Sequence, residues 1–274
     1  MVEPAHGKTI RHSDRSIDEF ILAFEGILDF LPLGKGQIHP LTMRRIKMKL
    51  SIKTFVIALA ISCGSTYAAK PVKIYILAGQ SNMNTFKHEA ELLKKDYPDL
   101  EIPTKNLWYV EGPSRSGLPG KTWGVETPFG LDLAKELQEP VLIFKSNRGG
   151  TTLNSDWLPP STVKRSGGKV GYLYNRMIRR FHNMIKDIET ICPPVKERGY
   201  EIAGFVWFQG ESDACIIRPD DWKDYEQKLR ELIADVRRDV GVEDLPYLNV
   251  QINNIPLWDG TETEPKGGAI IREA

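Results

Sequence analysis

Residues 72–83 read VKIYILAGQSNM, an apolar run that ends in a glycine and a group of polar residues. Residues 72–77 are rich in β-branched and aromatic side chains, which predicts a buried strand. A strand that passes through Gly79 into Gln80, Ser81 and Asn82 indicates a sharp turn at its carboxyl end. This segment decides the fold, because the same arrangement of strand and polar turn recurs twice further along the chain.

Short apolar runs alternate with longer amphipathic stretches after residue 70. Further strands are predicted at residues 106–110, 141–145, 202–208 and 247–252, and helices at 128–137, 172–188, 221–240 and 269–274. Asp220 or Asp221 is the expected N-cap of the third helix, and Gly241 follows it. Such alternation is typical of βαβ units with right-handed crossovers. The sequence therefore predicts an α/β fold, a three-layer sandwich with a mainly parallel sheet.

The composition excludes several classes of protein. The 274 residues include 37 Lys and Arg against 36 Asp and Glu, a net charge of +1, so there is no electrostatic footprint for nucleic acid. Three cysteines are too few for a disulfide framework. No Cys or His pair has the spacing of zinc ligands, and we expect neither a metal nor another cofactor.

Two further strands are followed by glycine-containing polar turns. Residues 146–151 (SNRGGT) follow the strand at 141–145, and residues 209–213 (QGESD) follow the strand at 202–208. In a parallel sheet the carboxyl ends of the strands meet at one edge, which is where ligands bind. A site is therefore expected where these turns and Ser81 converge.

The residue types in these turns suit acyl transfer but leave alternatives open. Ser81 fits an exposed nucleophile and equally an N-cap. The N–H groups of Gly149 and Gly150 fit oxyanion donors and equally a tight turn. The Gln209 amide fits a further donor, whereas a solvated loop with Glu211 as a capping residue is the alternative reading.

Three segments carry a resemblance to a known family, namely residues 79–83 (GQSNM), residues 149–151 (GGT) followed by Trp157, and residues 207–213 (WFQGESD). Together they resemble the SGNH-hydrolase superfamily, and within it the sialate O-acetylesterase-like carbohydrate esterases, a branch that includes acetylxylan esterases. The resemblance runs from about residue 73 to residue 274. It implies a flavodoxin-like fold and a serine esterase that removes O-acetyl groups from carbohydrates without a cofactor.

The resemblance also implies roles for individual residues. Ser81 corresponds to the nucleophile, and its own N–H, the N–H of Gly149 and the side chain of Gln209 correspond to the oxyanion hole. Glu211 is a candidate for ordering the site. Trp157 matches a family position near the substrate cleft, without a chemical role.

The sequence departs from the family in its general base. Relatives carry the base histidine in an Asp-x-x-His motif after the last strand, and none of His6, His12, His39, His88 and His182 has that context. Residues 270–274 resemble the helix that precedes this motif. We therefore expect a domain that lacks its carboxyl-terminal strand and helix, with little or no esterase activity.

A different class of function stays open beside the esterase. A secreted carbohydrate-binding protein without hydrolytic activity, or an inactive gene fragment, would keep the cleft and lack the base. Trp108, Trp123, Trp157 and Trp207 are candidates for stacking on sugar rings, although Trp207 fits the core equally well. The sequence does not decide between sialic acid, xylan and other acetylated glycans.

The amino-terminal region has the pattern of a targeting segment. From Met43 a basic stretch precedes the apolar run at 55–61 and then small residues, as in a signal peptide cleaved after about residue 69. We expect residues 1–42 to be a spurious extension, with the true start at Met43 or Met48, residues 43–69 to be the signal, and residues 70–274 to be the esterase domain. The predicted location is secreted or periplasmic with no stable membrane span, and Cys63 is a poor lipidation site.

Overall fold

The computed structural model describes residues 69–83, 106–111, 114–115, 124–214, 220–252 and 266–274. The predictions for the extension and the signal peptide lie outside these residues, except for Ala69 at the end of the signal. The residues Cys63, His88, Trp123 and Cys215 also lie outside the described ranges. Within the described part of the chain, no helix is long and apolar enough to cross a membrane.

The described residues contain six strands, namely β1 (Val72–Gly79), β2 (Leu107–Glu111), β3 (Ser114–Arg115), β4 (Val141–Asn147), β5 (Tyr200–Phe208) and β6 (Tyr247–Asn249). They form one sheet in the order β3-β2-β4-β1-β5-β6. Every neighbouring pair is parallel except β2 and β3, which pair antiparallel. The prediction of a mainly parallel sheet is confirmed.

The helices within the described residues are α1 (Glu126–Leu137), α2 (Pro160–Ser166), α3 (Tyr172–Lys186), α4 (Ile188–Ile191), α5 (Val195–Arg198), α6 (Glu211–Ala214), α7 (Tyr225–Val240) and α8 (Lys266–Glu273). A single 3-10 turn covers Ser81–Met83. The helix predicted at 172–188 ends at Lys186, and α4 begins after Asp187.

Side chains on β1 alternate between two hydrophobic cores, one on each face of the sheet. Ile74 and Ile76 belong to the first core, whereas Tyr75 and Leu77 belong to the second. Helices α3 and α7 contribute their buried faces to the first core, and α1 contributes its buried face to the second. Helices therefore cover both faces, which confirms the three-layer α/β/α sandwich.

The start of α7 differs from the prediction. The helix begins at Tyr225 instead of residue 221, and its N-cap position is Asp224 in the left-handed region, with φ of 62°. The Asp221 carboxylate accepts a hydrogen bond from Asn154 Nδ2 at 2.8 Å, so this side chain serves a tertiary contact instead of capping. At the other end, Gly241 takes the left-handed conformation expected of a residue after a helix, with φ of 80°.

Candidate active site

The register of the sheet brings the three polar turns together. Gly79 at the end of β1 pairs with Asn147 at the end of β4 and with Phe208 at the end of β5. Ser81 and Gly149 each lie two residues beyond these paired positions, so they emerge side by side from the same edge. The convergence expected from the sequence is therefore present.

Gly79 allows β1 and β5 to approach closely at this edge. A Cβ atom at position 79 would lie 2.0 Å from the main-chain oxygen of Phe208, and φ is +156°. The next N–H, that of Gln80, donates to the same Phe208 oxygen at 3.0 Å. The chain then turns through the 3-10 segment, whose Met83 is buried and whose Ser81 is half-buried. A buried strand thus holds the Ser81 hydroxyl at the edge of the sheet.

The turn after β4 presents main-chain N–H groups next to this serine. The Arg148 N–H donates to Gly79 O at 3.2 Å, and the Thr151 hydroxyl donates to Arg148 O at 2.7 Å, so the turn is fixed at both ends. Gly149 and Gly150 between them are exposed, and Gly150 has φ of +71°. Within the described residues their N–H groups have no hydrogen-bond acceptor. Such groups can stabilise an oxyanion.

The Arg148 side chain leaves the turn toward the start of α3. Its guanidinium donates to the Tyr172 hydroxyl at 2.5 Å and lies 5.6 Å from the centroid of the Tyr172 ring. Both residues are exposed. The contact with Tyr172 therefore fixes the direction of the Arg148 side chain next to Gly149.

Gln209 is buried behind the serine, and its amide already has protein partners. Its Nε2 donates to the main-chain oxygen of Thr151 at 3.0 Å and to Gln80 Oε1 at 3.1 Å, and it also contacts the Asp213 carboxylate. Two N–H groups therefore serve three acceptors. The role of Gln209 as an oxyanion donor stays a prediction.

Asp213 joins the turn of β5 to the loop after β4. Its two carboxylate oxygens accept the main-chain N–H groups of Leu153 and Asn154 at 3.0 and 3.1 Å. Burial raises the pKa of this carboxyl from 3.8 to about 7, against the opposing effect of the hydrogen bonds from Gln209 and the two N–H groups. The carboxyl thus titrates near neutral pH within the wall of the site.

Glu211 lies at the start of α6, on the serine side of the same turn. Its Oε1 accepts a hydrogen bond from Asn82 Nδ2, next to Ser81. Its Oε2 is buried with no hydrogen-bond partner among the described residues. Burial raises the pKa of this carboxyl, while its own main-chain N–H and the Asn82 amide lower it. An acceptor of this kind can orient an N–H donor beside the serine.

His182 is the one histidine in the described part of the chain. It is exposed on α3, where its ring contacts Phe181 at a centroid distance of 5.9 Å. The remaining histidines, including His88, lie outside the described residues. Within the described ranges there is also no group of three potential metal ligands.

Two of the candidate tryptophans, Trp157 and Trp207, do not offer the stacking surface expected of a sugar-binding protein. Trp157 and Trp207 have no exposed surface and pack edge to face, with ring centroids 5.2 Å apart. Trp157 Nε1 donates to the Thr151 hydroxyl at 3.0 Å, which ties the core to the turn after β4. Trp108 is half-buried on β2, where it packs against the first core. The suggestion that Trp157 and Trp207 stack on sugars is wrong, because both are core residues.

Sequence reasoning missed two members of this site. Gln80 lies inside the first motif but received no role, and Tyr225 was read only as part of a helix. The signal available for Gln80 was its position, because it is a polar residue directly before the serine. No local signal identifies Tyr225, because its contacts come from residues 16 to 18 positions earlier.

The known proteins that are similar to this chain include one family and several solved structures. A family model described as carbohydrate esterase, sialic acid-specific acetylesterase, matches residues 71–269. Three solved structures are similar to this chain. A protein from Arabidopsis thaliana is 22% identical, with a TM-score of 0.46 and coverage of 74% of this chain and 79% of that chain. A carbohydrate acetylesterase from Xanthomonas citri is 19% identical, with a TM-score of 0.44 and coverage of 73% and 45%. NanS is 19% identical, with a TM-score of 0.42 and coverage of 74% of each chain.

A curated protein gives a shorter match. The DNA/RNA-binding protein KIN17 of Mus musculus is 33% identical over 99 residues, which are 34% of this chain. The chain spans only 25% of the length of that protein.

Proposed function

Since the chain belongs to the carbohydrate esterase family of sialic acid-specific acetylesterases, we propose that it removes O-acetyl groups from carbohydrates with Ser81 as the nucleophile. The family makes the chain a carboxylic ester hydrolase. The observation that carries the proposal is the convergence of Ser81, the Gly149 turn and Glu211 at one edge of the sheet. Acetylated sialic acid and acetylated xylan are both candidate substrates.

The proposed reaction is acyl transfer in two steps. Ser81 Oγ attacks the acetyl carbonyl carbon, the bond to the sugar oxygen breaks, and the sugar leaves as an alcohol. Water then attacks the acetyl-serine, which releases acetate and restores the hydroxyl. The N–H groups of Ser81 and Gly149 hold the negative oxygen of each tetrahedral intermediate. Gln209 becomes a third donor if one of its N–H groups exchanges its present acceptor for that oxygen.

The general base is the part of the proposed machinery to which no residue of this sequence is assigned. The 274-residue sequence contains no Asp-x-x-His, and His182 is exposed on α3. We propose Glu211 as the site-ordering residue, since its free Oε2 can accept the N–H of an imidazole base. General acid–base help is typically worth about 10² to 10⁴-fold in rate, so slow turnover is expected without it.

Release of acetate from O-acetylated sialic acid and from acetylated xylan tests this proposal. We expect slow release from the 274-residue chain, faster release when imidazole is added as an external base, and neither in Ser81→Ala. Turnover without imidazole that is as fast as turnover with imidazole, and that Ser81→Ala abolishes, would show that the chain carries its own base. Equal rates for the parent chain and Ser81→Ala under both conditions would reject the esterase.

Export is a separate proposal that rests on the sequence of residues 43–69. We expect native protein to begin near residue 70, after removal of a signal peptide that starts at Met43 or Met48. Amino-terminal peptide mapping of protein from the source cell and its medium checks this. A native peptide from residues 1–42 would reject the proposed start.

A further inference from the structure

A line of buried hydrogen bonds runs from α7 to the serine. The Tyr225 hydroxyl lies 2.9 Å from Gln209 Oε1, Gln209 Nε2 lies 3.1 Å from Gln80 Oε1, and Gln80 Nε2 lies 3.4 Å from Ser81 Oγ. Tyr225, Gln209 and Gln80 are each at most 3% exposed. The line therefore connects a helix on one face of the sheet to the reacting hydroxyl without passing through solvent.

The partners of each amide fix the direction of this line. Gln209 Nε2 faces the main-chain oxygen of Thr151, which can only accept, so this end of the amide is the donor. Gln80 Oε1 faces the main-chain N–H of Ser212 at 3.1 Å, which can only donate, so the other end of Gln80 donates toward Ser81. Every bond in the line thus has its donor on the Tyr225 side.

Tyr225 sets the orientation at the far end of the line. Its hydroxyl accepts the Trp207 indole N–H at 3.3 Å and shares its one proton between Gln209 Oε1 and the Gln209 main-chain oxygen, which lies at 3.0 Å. Both of these atoms of Gln209 can only accept. With the amide orientation that the Thr151 oxygen requires, the Tyr225 hydroxyl holds Gln209 Oε1 in place and so keeps the N–H groups directed toward Gln80 and Thr151.

We infer that Tyr225 is a positioning residue for Ser81, acting through the Gln209 and Gln80 amides. Tyr225 keeps the Gln80 Nε2–H group directed at Ser81 Oγ. The oxygen accepts this hydrogen bond, and the hydroxyl proton of Ser81 is left for transfer to a base. Hydrogen bonds that point the same way along a buried line strengthen one another. The inference rests on the proposed function only through the role of Ser81, because the line itself exists independently of catalysis.

Tyr225→Phe removes one hydroxyl and tests this role. Tyr247→Phe is the matched control, because it makes the same chemical change at a tyrosine whose buried hydroxyl has no partner among the described residues. The assay is Ser81-dependent hydrolysis of 4-nitrophenyl acetate by the full chain with imidazole as external base, after subtraction of the Ser81→Ala rate. We expect Tyr225→Phe to lower kcat about tenfold with KM unchanged, and Tyr247→Phe to leave both within about twofold. Equal kcat values for Tyr225→Phe and the parent, or equal losses in both variants, would overturn the inference.

Nuclear magnetic resonance of the ¹⁵N-glutamine-labelled chain gives a second reading that needs no turnover. Among the described residues no hydrogen bond joins Tyr225 directly to Gln80, and the hydrogen-bonded route between them runs through Gln209. We expect Tyr225→Phe to shift the side-chain amide signals of both glutamines and to speed their hydrogen exchange, while Tyr247→Phe shifts neither. An unchanged Gln80 signal in Tyr225→Phe would overturn the inference. If the parent chain shows no Ser81-dependent turnover, the proposed function fails and this spectrum alone decides the positioning role.

Discussion

Gly79 is the residue on which the geometry of the serine turn depends most directly. Its missing side chain leaves room for the main-chain oxygen of Phe208, and that oxygen accepts the N–H of Gln80. The turn that carries Ser81 is therefore held against β5 by main-chain atoms. A side chain at position 79 must push the two strands apart at the edge where the site lies.

Gly79→Ala is expected to lower the free energy of unfolding by at least about 3 kcal/mol, because the new Cβ meets main-chain atoms that cannot move independently. Gly241→Ala is the matched control. It also has a positive φ, of 80°, but no atom lies within 4 Å of its added Cβ, so about 1 kcal/mol is expected. Urea denaturation measures both values, and a Gly79→Ala cost no larger than the control would contradict the close approach.

Asp213 makes stability depend on pH in a definite direction. Its pKa is raised from 3.8 to about 7 in the folded chain, so between these values the folded state holds a proton that the unfolded state has released. The contribution of Asp213 to stability is then fully present below about pH 4 and is lost as the pH rises toward 7.

Asp213→Asn removes this titration. We expect the unfolding free energy of the parent chain, minus that of Asp213→Asn, to fall between about pH 4 and pH 7 and to stay level above it. Denaturation of both chains across this range measures the difference. A difference that rises with pH would mean that hydrogen bonds from Gln209 and the main chain outweigh burial at this carboxyl.

At the scale of elements, a buried ion pair joins α1 to the centre of the sheet. Lys145 Nζ on β4 lies 2.7 Å from Glu126 Oε2 on α1, and both side chains are at most 1% exposed. Glu126 Oε1 also accepts the Tyr109 hydroxyl at 2.9 Å and the Gly124 N–H at 3.0 Å. The pair thus fixes β2, β4 and α1 relative to one another, close to the edge that carries the site.

Lys145→Met is expected to cost about 3 to 5 kcal/mol of unfolding free energy, because it leaves the Glu126 charge buried without its counter-ion. Adding Glu126→Gln should recover part of that loss. The exposed Arg230–Glu226 pair on α7 provides the control, since Glu226→Gln there should cost about 0.5 kcal/mol or less. Urea denaturation of the parent chain and the three variants measures this, and equal costs at the buried and exposed pairs would contradict the account.

Elements with a strong local pattern could be predicted from the sequence, and elements with a tertiary cause could not. The runs VKIYIL and VLIFK are strands because their side chains are buried on both faces, which the sequence displays directly. Helix α2 was not predicted, since its seven residues show no apolar period and Asp235 of α7 accepts the Ser161 N–H at 2.7 Å near its start. Likewise the Gln209 partners lie on three other segments, so spacing alone does not reveal them.

At the scale of the whole molecule, the site is assembled from three adjacent central strands and braced by both helical layers. Ser81 follows β1, Gly149 follows β4 and Glu211 follows β5. Tyr225 contacts the site from the first core. Lys145 holds β4 through its ion pair on the side of the second core. The net charge of +1 adds no long-range attraction for polyanions. On the proposed function, contacts at this edge select the acetylated sugar.

The central claim is that Ser81 carries the acetyl group during the reaction, and mass spectrometry of the acylated chain tests it most directly. 4-Nitrophenyl acetate has a good leaving group, whereas acetyl-serine is an ordinary alkyl ester, so the intermediate should accumulate when the chain is incubated with 4-nitrophenyl acetate and no added base. The account predicts an acetyl group on the peptide that contains Ser81, and none on that peptide in Ser81→Ala. An unmodified Ser81, with acetyl groups only on lysines, would contradict it.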